Sequence, residues 1–112
     1  MKLAEFERQV SDVATDSAIC GIPIIRRLTS TAINIRLSVS TGGFIDAFHN
    51  EYTGTTAFTL IYEDRRIFGA DNTGDWHIHP FYNPDLHIPI PRVMSFAEFV
   101  ADIEKQFVCN CP

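Results

Sequence analysis

No apolar stretch among the 112 residues approaches the roughly 20 consecutive residues that a membrane-spanning helix needs, so an integral helical membrane protein is excluded. Basic residues are few, nine against 14 acidic ones, for a net charge of −5. They are scattered apart from the pairs Arg26-Arg27 and Arg65-Arg66, so the chain lacks the broad basic footprint of stable non-specific nucleic-acid binding. A few arginines around a site can still hold phosphates, and the acidic sign leaves room for a basic partner. Cysteine is scarce as well. Three cannot all pair, and Cys20 stands far from Cys109 and Cys111, which fits a reducing compartment. Cys109-Asn110-Cys111 lacks the two-residue spacer of redox or zinc-knuckle pairs and reads as a frayed tail. Lys2, Glu5, Glu7 and Arg8 are followed by no apolar block, so no cleaved secretory signal is expected and the chain reads as a soluble, cytoplasmic protein. No repeat, low-complexity run or linker divides it, and residues 1–112 are expected to form one domain.

What is present begins with Leu3, Phe6, Val10 and Val13 at steps of three and four, which predicts an amphipathic helix from Lys2 to about Thr15. Gly21 and Pro23 then interrupt regular structure, and Ile24-Ile25 fits a short strand or a buried lead-in equally well. Ile33, Ile35, Leu37 and Val39 alternate with Asn34, Arg36, Ser38 and Ser40 at the strand period of two. Thr41-Gly42-Gly43 is a hairpin signal, and returning strands follow over 44–52, 56–62 and 66–70, separated by turns at 52–55 and 63–65. Such short connections join antiparallel neighbours, so an antiparallel meander is expected. Ser95-Phe96-Ala97-Glu98 is a capping box, opening a helix with Phe96, Phe99, Val100, Ile103 and Phe107 on one stripe. The expectation is an α+β fold: a four- to five-stranded antiparallel β-meander packed against N- and C-terminal helices, with Leu37, Phe58, Leu60, Phe99 and Ile103 buried.

Chemistry concentrates between Asp71 and His87. Three of the four histidines, three carboxylates and the single tryptophan lie there, among prolines that point to an ordered loop with at most a short strand over 76–79. The order of elements, the run from Arg66 through Phe68 to Asp71-Asn72, a loop holding His77, His79-Pro80-Phe81 and His87, and a capped acidic helix resemble the TumE family of bacterial toxin components. The resemblance covers about Ala32 to Phe107, with the histidines spaced more widely than the His-His pairs of that family. It implies a two-gene toxin–antitoxin setting, growth-inhibiting activity and an antitoxin encoded nearby as partner.

RNA cleavage is an inference from the residues themselves. A base must take the 2′-hydroxyl proton, an acid must protonate the leaving oxygen, and a cation must steady the phosphate. His77 and His79 are the acid–base candidates with Asp71 beside them, and Arg66 or Arg36 serves phosphate. Trp76, Phe81 and Tyr82 are candidates to stack a base, with His87 on the same substrate side. RNA and a second copy of the chain, as a homodimer, join the antitoxin as expected partners, and no cofactor is expected. An extended 76–79 segment would put the Cβ atoms of His77 and His79 roughly 6 to 7 Å apart on one face, with His87 or Asp71 as a third metal ligand. His-x-His is a weak metal signal, and Pro80 cuts the segment short, so acid–base or structural roles are favoured over metal. The bland alternatives are ring nitrogens bonded to loop carbonyls, Asp71-Asn72 shaping a turn, Trp76 and Phe81 as anchors, and Arg65-Arg66 in a solvated turn. His49, alone on a strand, reads as sheet-face packing or cross-strand bonding. A non-catalytic interaction module or a small metal-binding protein is the alternative function.

Overall fold

The computed structural model describes residues 1–108, so the reading of Cys109 and Cys111 falls outside the described residues. Helix α1 runs Leu3–Asp16 and buries Phe6, Val10 and Ala14, one residue per turn along a single stripe. Seven strands follow: β1 Ile24–Leu28, β2 Ala32–Ser38, β3 Phe44–Asn50, β4 Thr56–Tyr62, β5 Arg65–Asp71, β6 His77–His79 and β7 Ile88–Pro89, before α2 at Phe96–Val108. They lie side by side in chain order, every pair antiparallel. The α+β meander is therefore as expected, but it has seven strands rather than four or five. The additional strands carry no periodicity a sequence could show. β1 is exposed at every position, β6 has three residues, and β7 has two, one of them proline, which a sheet edge tolerates because no neighbour needs its missing N–H.

Alternation sorts the sheet into two faces. Ile33, Ile35, Leu37, Ile45, Ala47, Phe58, Leu60, Phe68 and Ala70 point to one side and are buried there with Phe6, Val10, Phe99 and Ile103 of the helices. The Phe99 ring lies 5.4 Å from that of Phe58 and 5.0 Å from that of Phe68. Phe107, expected on the buried stripe, is 39% exposed and meets Phe81 edge-on at the end of the helix. Ser17 Oγ donates to Glu104 and ties the end of α1 to α2. The capping box forms as expected: Glu98 N–H donates to Ser95 Oγ, and Glu98 reaches back to Ser95 N–H. No described helix is long and apolar enough to cross a membrane.

Two turns and one irregularity shape the sheet. Glu63 and Asp64 take φ of 51° and 63°, the left-handed pair of a two-residue hairpin whose twist matches the strands it joins. Gly43 takes φ of 81° so close to Ile61 that a Cβ would sit 2.1 Å from its carbonyl oxygen. Between β4 and β5 the register slips: Leu60 faces Phe68, whereas Ile61 faces Arg66, leaving Ile67 as an extra residue.

Candidate functional site

The face of the sheet away from the helices carries the site. β6 pairs with β5 as Gly69↔His79, Ala70↔Ile78 and Asp71↔His77, so Ala70 and Ile78 turn towards the core while Gly69, Asp71, His77 and His79 turn the other way. After Pro80 the chain turns twice, with Asn83 N–H donating to Pro80 and Leu86 N–H to Asn83. Phe81 stacks on Phe68 at 4.3 Å and pins this loop to the core. The return brings His87 over the two strand histidines, its ring centroid 4.9 Å from that of His77 and 4.4 Å from that of His79. One nitrogen of each of the three rings lies within 4.8 Å of the others.

Backbone carbonyls set the ring orientations. His77 Nδ1 lies 2.9 Å from the Asp75 carbonyl and His79 Nδ1 lies 3.2 Å from that of Pro84. A carbonyl only accepts, so each Nδ1 carries the hydrogen and donates it. The two Nε2 atoms then face one carboxylate: His77 lies 3.2 Å from Asp71 Oδ1 and His79 3.2 Å from Asp71 Oδ2. Asp71 Oδ1 also accepts the Thr73 N–H at 3.0 Å, so the aspartate shapes its turn and faces both rings at once. Burial raises its pKa, but the Thr73 N–H, the His79 bond and the neighbouring His77 outweigh that and hold the carboxyl below its ordinary value.

The other residues singled out by sequence divide clearly. Arg66 joins the site because of the slip at Ile67. In a regular strand it would share the core face with Phe68; the extra residue turns it to the same side as Gly69. Its guanidinium donates to the Pro84 carbonyl that also accepts from His79. Arg65, Arg66, Ile67, Phe81, Pro84 and Asp85 line a cleft of about 500 Å³. Arg36 does not join. It shares a row with His79 through Asp46, Thr59 and Gly69, which puts it four strand spacings, roughly 19 Å, away. There its guanidinium is held by both Asp46 oxygens, over the Phe44 ring. Trp76 and Phe81 turn inward, against Phe58 and Phe68, and act as anchors. Tyr82 is 77% exposed and His87 is exposed, whereas His77 and His79 are 9% and 3% exposed. His49 is far from the cluster, stacked on Phe6, with Nε2 donating to the Met1 carbonyl and Nδ1 accepting from Thr56.

Sequence reasoning missed three contributors: the carbonyls of Asp75 and Pro84, which leave no side-chain signature, and Gly69. A Cβ at Gly69 would lie 3.2 Å from Arg66 Cδ and 3.4 Å from His79 Cδ2, so the missing side chain is what lets them approach. A glycine in a strand interior is the signal that could have marked it. Compared with known proteins, the chain matches no family model, no curated protein and no solved structure.

Proposed function

We propose that the chain is the toxin of a two-gene toxin–antitoxin pair and that it cleaves RNA at the Asp71, His77, His79 and His87 cluster. The observation that carries the chemistry is the convergence of three histidines on one carboxylate, beside a cleft whose lining includes Arg65 and Arg66 in an otherwise acidic chain. The toxin setting rests on the resemblance between Ala32 and Phe107. In this reading exposed His87 takes the 2′-hydroxyl proton and returns it to the leaving oxygen, and His77 and His79, covered and held by the Asp75 and Pro84 carbonyls, stand behind it. His87, Arg65 and Arg66 are the members that an RNA strand can reach, and exposed Tyr82 lies at the neighbouring pocket beside α2. The arginines supply the positive charge for phosphate, and Tyr82 supplies an aromatic face for a base. An RNA target places the action in the cytoplasm, and the small neighbouring gene product neutralises it.

Induced expression without the neighbouring gene should arrest growth, and purified protein should cleave RNA. His87→Ala should lower the cleavage rate by about 10² to 10⁴. Because His87 is exposed, the thermal midpoint should stay near the wild-type value. Normal growth together with intact RNA in the assay would overturn the reading.

A further inference from the structure

The two Nε2 atoms facing Asp71 pose a physical problem. With each Nδ1 donating to a carbonyl, a neutral ring presents a lone pair at Nε2, and at 3.2 Å from a carboxylate oxygen that lone pair is repelled. One cation placed between them would take both ring lone pairs and the carboxylate together. A single cation answers all four groups together.

We infer that His77 Nε2, His79 Nε2, His87 and Asp71 form a binding site for one divalent first-row transition ion, of which zinc is the reference case. Three observations support it independently of what the substrate is. Imidazole and carboxylate are the donors that zinc and its neighbours take, whereas magnesium and calcium call for oxygen alone. Each strand histidine donates its second ring hydrogen to a backbone carbonyl, the outer arrangement that fixes a ligand's tautomer and orientation. The third nitrogen is at the right scale: zinc–nitrogen bonds of about 2.0 to 2.1 Å put the corners of a tetrahedron about 3.3 Å apart. One nitrogen of each ring lies within 4.8 Å of the others, so binding an ion requires them to draw closer, and exposed His87 on its loop is the ring with room to move. The sequence offered His87 or Asp71 as a third ligand to the His-x-His pair, and the fold brings both of them to it. A bound ion would supply positive charge for a phosphoryl oxygen close to Arg66.

The test uses the full chain, stripped with a chelator and titrated with Zn²⁺, with Co²⁺ as a spectroscopic stand-in and Mg²⁺ as a control. Expected are one zinc per chain, a chelator-reversible rise in thermal midpoint, Co²⁺ absorption bands of a nitrogen- and oxygen-bound four-coordinate ion, and no shift with Mg²⁺. His87→Ala should fold like wild type and weaken zinc binding by more than about tenfold, the lower bound for loss of even an outer-shell partner. Asp71→Asn should weaken it too, and the double variant Cys109→Ser, Cys111→Ser should bind zinc unchanged. Folded wild type that takes up no stoichiometric zinc would overturn the site. So would binding that survives both His87→Ala and Asp71→Asn, or that disappears with the two cysteines. RNA cleavage is read in none of these measurements, so the metal site and the proposed activity can fail separately.

Discussion

At the scale of single residues, Gly69 sets how closely the site can assemble. A methyl group there would meet His79 Cδ2 and the Phe58 carbonyl oxygen at 3.4 Å, the edge of ordinary contact, and Arg66 Cδ at 3.2 Å, so Arg66, tethered to the Pro84 carbonyl, is the neighbour that must give. Alanine would ordinarily gain stability in a strand through backbone entropy. Here overpacking wins, and Gly69→Ala should destabilise by about 1 to 3 kcal/mol, measured by urea unfolding. It should also push Arg66 away from His79 and lower RNA cleavage, whereas a rise in stability with full activity would refute the close approach. His49 is the useful contrast. It is as buried as His79 and bonded at both nitrogens, yet it faces the helices. Removing it should cost stability through the unpaired Thr56 hydroxyl and Met1 carbonyl, about 1 to 3 kcal/mol, while the site on the opposite face is left intact.

At the scale of elements, α2 depends on its first turn. Ser95→Ala removes the acceptor for Glu98 N–H and should cost about 0.5 to 2 kcal/mol in chemical denaturation. The same turn gives a pH dependence of known sign. The Arg92 guanidinium first, with the Ser95 N–H and hydroxyl adding to it, holds the Glu98 carboxyl below its ordinary 4.5. A group whose folded pKa is depressed stabilises the fold above its unfolded pKa and loses that contribution as pH falls through the folded value. The difference in thermal midpoint between wild type and Glu98→Gln should therefore be full at neutral pH and shrink below pH 4.5. A difference that grows in acid would contradict the pairing. The bulge at Ile67 is the corresponding device in β5. Deleting Ile67 would put Arg66 next to Phe68 in plain alternation, which keeps it opposite Ile61 on the Gly69 side, so Arg66 should stay at the cleft while the contact of Ile67 with the core is lost.

At the scale of the whole molecule, one layer of sheet depends on one layer of helices. Phe96, Phe99, Val100 and Ile103 bury their side chains on β4, β5 and neighbouring residues, and at about 1.5 to 3 kcal/mol each their burial is comparable to the 5 to 15 kcal/mol of a typical domain. A chain ending at residue 94 should not fold, as read by circular dichroism and protease sensitivity, and Leu60→Ala or Phe99→Ala in the full chain should cost about 2 to 5 kcal/mol. A folded truncated chain would refute the two-layer account. The sequence alone determined both helices, strands β2 to β5 and the core stripe, because periods of 3.6 and 2 are local properties that the buried face enforces. It also located the chemistry, since Asp71, His77, His79 and His87 are close in the chain. Only the tertiary structure decided which of them meet. Phe81 stacking on Phe68 returns His87 to the cluster, the extra residue at Ile67 brings Arg66 in, and four strand spacings put Arg36 out of reach. Each of these depends on pairing between residues whose register no local pattern specifies.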